Sequence, residues 1–451
     1  MANPISAQSG QSLAMPINRA EPHIMHIDLN SCFSTIEQQA NPLIRNKPVA
    51  VAAYKHDRGV VLAASYEAKA MGIKLGTFVR DARQICPGIV VLMPDAAKYR
   101  EAHKRFREVL LQYTSDVVPK SIDEFVINFE GSDALRQGRG LEVVGYEIKE
   151  QIKEHLGEYV TVNVGVGPNR FLAKLAAGLH KPDGLDVITH ENLRDVLATV
   201  GLRDLPGINH RFEARLRAAG IGSPLDFFDA DGKFLKNFVF YSKLGFYWQK
   251  RLHGWEVDNR EFARKTIGHQ YALQNKTSDR DELARLVMKL SEKVGRRLRH
   301  AGLQAGGLHL SIRFVKPGEA EHTEQYHPDL SWHEKGGFSG HRRYLYWQEG
   351  HKTPHPLYAT QDIYVAAQRL LNKAVFADRV SQLSVTLYDL QPTNPEQLGL
   401  FEEQTLRQKR LATAADAAND RYGDFTVVPA IMANMHKVIL DRVAFGGIRD
   451  L

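Results

Sequence analysis

Cysteine is almost absent from this chain: there are two among 451 residues, Cys32 and Cys86, in separate segments. That excludes a disulfide-stapled secreted module, and two thiols alone do not complete a zinc site. No apolar run approaches the ~18 residues that cross a bilayer. Met1–Pro22 is polar and lacks the basic n-region and apolar h-region of a signal peptide, so the expected setting is cytoplasmic and reduced, with no membrane contact. No short-period internal repeat is present. Excess charge of one sign is small: 59 Lys and Arg against 52 Asp and Glu leave +7. Such a balance fits a polyanionic partner without requiring one. With 43% apolar and 25% charged residues the chain reads as a globular protein. At ~150 residues per domain it has room for about three.

Residues 1–22, rich in Ser, Gln, Asn and Pro, read as a flexible leader. The run His23–Leu29 (HIMHIDL) predicts a buried strand, with further strands over 46–53 and 60–64 and short helices over 66–71 and 79–85. Tyr99, Phe106, Val109, Leu110 and Tyr113 recur at helical spacing and predict a helix over 96–113. Phe125, Ile127 and Phe129 alternate, predicting a strand with Asp123 and Glu124 at its entry. A helix over 141–156, a strand over 160–166 and a helix over 168–179 follow, closing at the turn Lys181-Pro182-Asp183-Gly184.

Residues 190–256 change to short helices around Leu205-Pro206-Gly207-Ile208-Asn209, and 264–392 return to strand–helix–strand. A polar, His- and Gly-rich stretch at 317–340 interrupts that second half and is expected to be a loop. On the helix expected over 279–300, the stretch from Arg285 to His300 sets Arg285, Lys289, Lys293, Arg296, Arg297 and Arg299 against a single acid, Glu292. They run beside an apolar stripe of Leu286, Leu290, Val294 and Leu298. The basic stripe reads either as a solvated face or as a surface for a polyanion.

Asp28 ends the first strand, and Asp123-Glu124 begin another. Three carboxylates at one edge of a sheet would repel strongly unless cations lay between them. An all-oxygen donor set with open positions suits Mg²⁺, and two such ions ~3.5–4 Å apart can activate a hydroxyl and stabilise a leaving phosphate. Spacing alone leaves the other reading open, three ordinary surface acids near turns.

Asp28-Leu29-Asn30-Ser31-Cys32-Phe33-Ser34-Thr35-Ile36-Glu37 resembles the opening motif of the Y-family (translesion) DNA polymerases. Ser65-Tyr66-Glu67-Ala68-Lys69 with Gly72-Ile73 looks like their fingers motif, and Ser121-Ile122-Asp123-Glu124 like their second acidic motif. Val164-Gly165-Val166-Gly167-Pro168-Asn169-Arg170-Phe171-Leu172-Ala173-Lys174 and Lys181-Pro182-Asp183-Gly184 continue the match in the same order. Leu205-Pro206-Gly207-Ile208 resembles their thumb turn, and Lys265-Thr266-Ile267-Gly268 the entry to their little finger. The resemblance covers about residues 23–392.

It implies an α+β multidomain right hand. The expected parts are a palm with a mixed α/β sheet (23–31 and 94–188), fingers (32–93) and a helical thumb with a helix-hairpin-helix (189–256). A linker and βαββαβ-like little finger (257–392) and a C-terminal tail (393–451) complete it. The implied activity is low-fidelity DNA-directed DNA synthesis in damage tolerance, adding dNTPs to the 3′-hydroxyl of a primed DNA template without proofreading. Asp28, Asp123, Glu124 and the main-chain carbonyl of Leu29 would hold two Mg²⁺ ions. Phe33 would be the steric gate against ribonucleotides, with Cys32 beside it. Tyr66, Lys69 and Lys181 would grip the triphosphate, and Gly207, Ile208 and Asn209 would contact a DNA phosphate.

Lys69 stands where many relatives carry Arg, and lacks that residue's bidentate fork. Asn209 replaces a second Gly, and the expectation is that it tolerates the left-handed turn. In the family it is the little-finger sheet that faces DNA, so the basic helix at 285–300 is expected to be partly solvated. Gln397-Leu398-Gly399-Leu400-Phe401 resembles the bacterial sliding-clamp binding peptide, with Gln397, Leu398, Leu400 and Phe401 as its contacts. The residues beyond it resemble the C-terminal extensions of polymerase V-like repair polymerases. The chain is expected to act as a monomer. Two rival readings remain: a catalytically inactive relative serving as a scaffold on the clamp, and a palm-type cyclase or other nucleotidyl transferase.

Overall fold

The structure, a computed structural model, describes residues 15–132, 138–260, 263–315, 330–337, 340–393, 403–435 and 438–439. They form two compact units that divide near residue 261. Among the described residues, no helix is long and apolar enough to cross a membrane.

The first unit is built on a five-stranded sheet in the order Val117–Pro119, Glu124–Asn128, Ile24–Leu29, Val162–Gly167, Leu185–Val187. The central strand Ile24–Leu29 runs antiparallel to both neighbours, and the last pair is parallel. Side chains alternate across a strand. Met25, Ile27, Leu29, Phe125, Ile127, Val164 and Val166 therefore pack together with Tyr99 and Phe106 of helix Ala96–Leu110, and with Val144 and Ile148 of helix Leu141–Leu156.

The opposite face takes helix Arg170–Leu179 at very close range. A side chain at Gly165 would lie 2.2 Å from the Ala173 carbonyl, and one at Gly167 would lie 2.7 Å from the Ala173 nitrogen. The alternating glycines of Val164-Gly165-Val166-Gly167 are what let the helix backbone settle on the strand. The helix starts at Asn169, whose Oδ1 accepts the Leu172 N–H at 2.7 Å.

A smaller sheet, Val61–Ala64, Val49–Ala52 and Val90–Leu92, carries its own core of Ala50, Val61, Ala68, Ile73 and Ala82. Helices over 193–252 enclose a third core around Leu197, Leu216, Phe227, Leu235 and Trp248. Residues within the expected leader lie along this helical part. The Asn18 N–H donates to the His253 carbonyl at 2.9 Å, Trp255 Nε1 donates to the Pro16 carbonyl at 2.8 Å, and Ile17 packs against the same core.

The second unit has a five-stranded antiparallel sheet in the order Leu330–Gly337, Gly340–Leu357, Leu303–Phe314, Val380–Pro392, Thr266–Thr277. Helices Arg280–His300 and Thr360–Lys373 contribute Leu286, Leu290, Val294, Ile363 and Leu370 to its core. The expected loop at 317–340 is partly wrong: 330–337 is a strand paired with 340–347, so the chain order is βαβββαβ. The alternation of Leu330 and Trp332 with Ser331 and His333 is a strand signal. It is masked in sequence by the Gly and His around it.

Part of the basic stripe of helix Arg280–His300 meets solvent as expected, with Arg285 exposed and Arg297 half-buried, but its other members are neither solvated nor free for a polyanion. Lys289 is only 1% exposed, and Arg299 is buried. The C-terminal segment, with its helix Glu403–Tyr422, covers them. Arg299 Nε and Nη2 reach Asp416 at 2.5 and 2.9 Å, and Arg299 Nη1 donates to the Tyr358 carbonyl at 3.1 Å. Arg296 pairs with Asp420 and Asp424. Lys289 donates to the Met435 carbonyl and lies over the Phe425 ring. Removing one partner of a buried ion pair leaves the other uncompensated. Asp416→Ala should therefore destabilise the second unit by about 3–5 kcal/mol, read as a lower urea midpoint, with Arg299→Met plus Asp416→Leu recovering most of the loss. An unchanged midpoint in Asp416→Ala would mean that this segment does not hold to the helix.

Candidate active site

The register of the central sheet sets Asp28 directly opposite Glu124. The Leu29 N–H donates to the Asp123 carbonyl at 2.9 Å, which brings the third carboxylate to the same strand end. Like charges directly opposite one another are unfavourable, and burial adds to the cost of ionising them. Burial first, and then the neighbouring Glu124, push Asp28 above its ordinary range, although the Lys181 ammonium pulls the other way. Asp123 is pushed up to about 6, mainly by burial with Asp28 and Glu124 adding, while the Ser121 hydroxyl that donates to it opposes the shift.

Two ammonium groups answer this negative charge. Lys181 Nζ lies 2.6 Å from Asp28 Oδ2, and Lys174 Nζ lies 2.8 and 2.7 Å from the two oxygens of Glu124. Lys174 reaches across because its helix sits so close to the sheet. Among the described residues, no group of three or more His, Cys, Asp or Glu side chains forms a ready-made metal cage. The donor set nevertheless fits a hard dication: oxygen-only, partly buried, and still proton-hungry after two lysines have been engaged. Mg²⁺ typically takes one or two protein carboxylates together with waters and substrate phosphate oxygens, rather than a full protein cage.

Beside the carboxylates opens a cavity of about 220 Å³, lined by Asp28, Leu29, Cys32, Phe33, Tyr66, Lys69, Asp123 and Lys181 among others. The residues expected to hold the metal ions and the nucleotide thus converge, with Glu124 at the adjoining strand end, whereas Gly207, Ile208 and Asn209 do not line the cavity. Ser31, at φ 50° in the left-handed region, turns the chain into helix Cys32–Ala40. Phe33 stacks on Tyr99 with ring centroids 4.2 Å apart and planes 7° from parallel. Tyr99 is itself fixed by donating to Glu37 at 2.9 Å. Phe33 is therefore a rigid wall rather than a loose side chain. Burial, with Asp123 and Asp28 adding, pushes the Cys32 thiol up, so it stays neutral.

Lys69, which also lines the cavity, donates from Nζ to Ser31 Oγ at 2.6 Å and lies 4.4 Å from the centroid of the Tyr66 ring. Burial chiefly, then the nearby Lys181, lowers its pKa. The cavity thus brings two carboxylates, Asp28 and Asp123, together with two ammonium groups, Lys69 and Lys181.

Sequence reasoning gave no role to several residues that hold this arrangement. Lys149, buried on helix Leu141–Leu156, donates to the Asp183 carbonyl and lies 3.2 Å from its carboxylate, fastening the turn that carries Lys181. Its signal was a lysine at an apolar position between Gly145 and Ile152. His26 Nε2 lies 3.9 Å from Glu124 Oε2, on the same strand face as Asp28. Burial first, and then three lysines, keep it neutral. Its signal was a polar residue inside an apolar strand.

The thumb turn differs from expectation. Gly207 takes the left-handed conformation (φ 95°), while Asn209 is extended and caps helix His210–Ala218, accepting from the N–H groups of Arg211 and Phe212. The N–H groups of Arg211 and Phe212 at the helix start are therefore engaged by that side chain, and of the three residues expected to meet a phosphate, Ile208 already donates its N–H to the Leu205 carbonyl at 3.0 Å. Ile208 is buried in the helical core. Residues 397–401 lie outside the described residues.

Between the ordinary pKa of 3.8 and about 6, folded Asp123 binds a proton that the unfolded chain has released. Stability therefore falls as pH rises through this window, and the loss is complete above it. Asp123→Asn should raise the unfolding free energy of the chain in EDTA by about 1–3 kcal/mol at pH 7, with the gain shrinking toward pH 4. Urea titrations at the two pH values check this; an equal gain at both would assign it to something other than ionisation.

The chain matches the impB/mucB/samB family over residues 27–178 and that family's C-terminal domain over 264–400. It is 32% identical over 419 residues to a DNA polymerase IV of Moorella thermoacetica, covering 90% of this chain and 95% of that protein. A DNA polymerase IV of Pelotomaculum thermopropionicum is 29% identical over 431 residues, covering 93% and 97%. In three dimensions the chain resembles a Y-family DNA polymerase chimera of Dbh and Dpo4, with a TM-score of 0.66, 22% identity, and coverage of 82% of this chain and 99% of that one. It also resembles an insertion ternary complex of Dbh DNA polymerase, with a TM-score of 0.52, at the same identity and coverage. A palm sheet ending in three carboxylates, a separate helical part and a second sheet-and-helix unit belong together here for one reason: this chain is a member of the Y-family of DNA polymerases.

Proposed function

We propose that the cavity between the carboxylates and Lys69 receives the incoming dNTP of template-directed DNA synthesis. As a Y-family polymerase the chain is an enzyme of the translesion type, extending primers with low fidelity. Asp28, Asp123, Glu124 and the Leu29 carbonyl are the groups that would hold two Mg²⁺ ions. Bound there, the ions would lower the pKa of the primer 3′-hydroxyl and offset charge on the leaving pyrophosphate. The protein supplies position and charge. Lys181, Lys69 and Tyr66 bind phosphate oxygens, and Phe33, held flat by Tyr99, lies under the sugar where a 2′-hydroxyl would collide. No side chain acts as nucleophile, since the primer hydroxyl does so.

The observation that carries this reading is the convergence, in one cavity, of carboxylates, lysine ammonium groups and a rigid aromatic wall. Retention of all three carboxylates disfavours an inactive scaffold. We further propose that Gln397, Leu398, Leu400 and Phe401 bind the bacterial sliding clamp, and that the protein works as a cytoplasmic monomer.

Primer extension on a primed template with Mg²⁺ and dNTPs tests the proposal. The native chain should extend, and Asp123→Ala should lose extension by at least about 10³-fold. No extension by the native chain, even with clamp present, would refute it. Phe33→Ala should lower discrimination against ribonucleotides by at least about tenfold, measured as the ratio of kcat/KM values. Unchanged discrimination would remove Phe33 as the gate. Leu400→Ala with Phe401→Ala should abolish stimulation by the clamp.

A further inference from the structure

Helix Tyr66–Ala70 has five residues, little more than one turn. A helix that short does not hold itself together, yet Tyr66 and Lys69 on it both line the cavity. They stand three apart and share a face. One end of the helix is fixed to the small sheet. Ser65 caps it, the same hydroxyl accepts the Val49 N–H at 3.1 Å, and Ala68 is buried in the small core. The bond from Lys69 to Ser31 ties the helix toward the carboxylates, but it is given up once the ammonium turns to a phosphate.

Glu67 lies between these two residues in the chain and off their face. Its carboxylate is engaged at both oxygens. The Tyr159 hydroxyl donates to Oε1 at 3.1 Å, and Gln38 Nε2 donates to Oε2 at 3.3 Å. Both partners are themselves held. Tyr159, between helix Leu141–Leu156 and strand Val162–Gly167, accepts the Asn46 N–H on its hydroxyl at 3.0 Å. Its own N–H donates to Gln39 Oε1 at 2.9 Å. The Arg45 guanidinium lies 5.4 Å from the centroid of the Tyr159 ring and donates to the Gln38 and Gln39 carbonyls at 3.0 and 3.1 Å. Gln38, on helix Cys32–Ala40, is buried and also donates to the Lys47 carbonyl at 3.2 Å.

We propose that Glu67 is a positioning residue for the nucleotide: through Tyr159 and Gln38 it holds the face of Tyr66 and Lys69 at a fixed distance from Asp28 and Asp123. Hydrogen bonds to an ionised carboxylate are short-ranged and directional, so two of them on one side chain fix an orientation as well as a distance. Glu67 does not line the cavity, and it shapes the site from behind. The inference rests on reading that cavity as the dNTP site. Loss of the tie then loosens the grip on phosphate and leaves the carboxylates in place, so binding suffers and the chemical step does not.

Single-nucleotide incorporation on a primed template by the full chain tests it. Tyr159→Phe removes one oxygen and keeps the ring beneath Arg45, so the fold is retained. Tyr159→Phe and Glu67→Ala should each raise KM for dNTP about fivefold or more, with kcat changed by less than about twofold. Glu67→Gln, whose amide oxygen still accepts the Tyr159 hydroxyl, should recover most of the loss. The double variant should be no worse than Glu67→Ala alone, because both changes cut the same bond. Hydrogen exchange at the amides of 66–73, followed without nucleotide or metal ion, should be at least about fivefold faster in Tyr159→Phe than in the native chain. An unchanged KM, an unchanged exchange rate or additive losses in the double variant each overturn the inference. So does a fall in kcat at constant KM, which would place Glu67 in the chemical step. Exchange needs no catalysis, so it judges the tie even if the native chain fails to extend primers, and the two failures are distinguishable.

Discussion

Mutual repulsion of three carboxylates is the constraint on which the first unit depends. Antiparallel register places Asp28 against Glu124, and the backbone bond from Leu29 to Asp123 completes the cluster. Left alone, such a group would favour protonation or splaying. The fold answers with Lys174 from a helix set unusually close to the sheet, and with Lys181 from a turn anchored by buried Lys149. The close glycines, the anchored turn and neutral His26 all serve the same end: negative charge is held in place rather than dispersed, ready for a stronger cation.

Much of this was legible in sequence because it is local. The apolar run before Asp28, the alternation after Glu124 and the valine–glycine alternation at 164–167 each report on their own strand. What sequence could not supply were partners distant along the chain. The basic stripe of helix Arg280–His300 looked uncompensated because Glu292 is the single acid between Arg285 and His300. Its real partners, Asp416, Asp420 and Asp424, lie more than a hundred residues on. Asn209 was misread for a related reason: its type allows both a left-handed turn and a helix cap, and only the position of Gly207 decides between them. Strand 330–337 was missed because composition outweighed its period-two pattern.

Conversely, the cavity was legible only as a set of candidates. Nothing in the spacing of Phe33 and Tyr99 states that their rings lie parallel, or that Glu37 fixes the second ring from behind. That stack turns a single aromatic residue into a wall with a fixed height. The same logic separates buried from exposed aromatics in the helical part, where Phe227, Phe228, Phe240 and Trp248 build a core while Phe234, Phe238 and Tyr241 face outward.

The docking of helix Glu403–Tyr422 also settles what the helix beneath it is offered to. Arg296 and Arg299 are spent on Asp416, Asp420 and Asp424, and Lys289 on the Met435 carbonyl. The C-terminal segment is thus the built-in counterion of that face, and cations held in this way are not presented to a polyanion from outside.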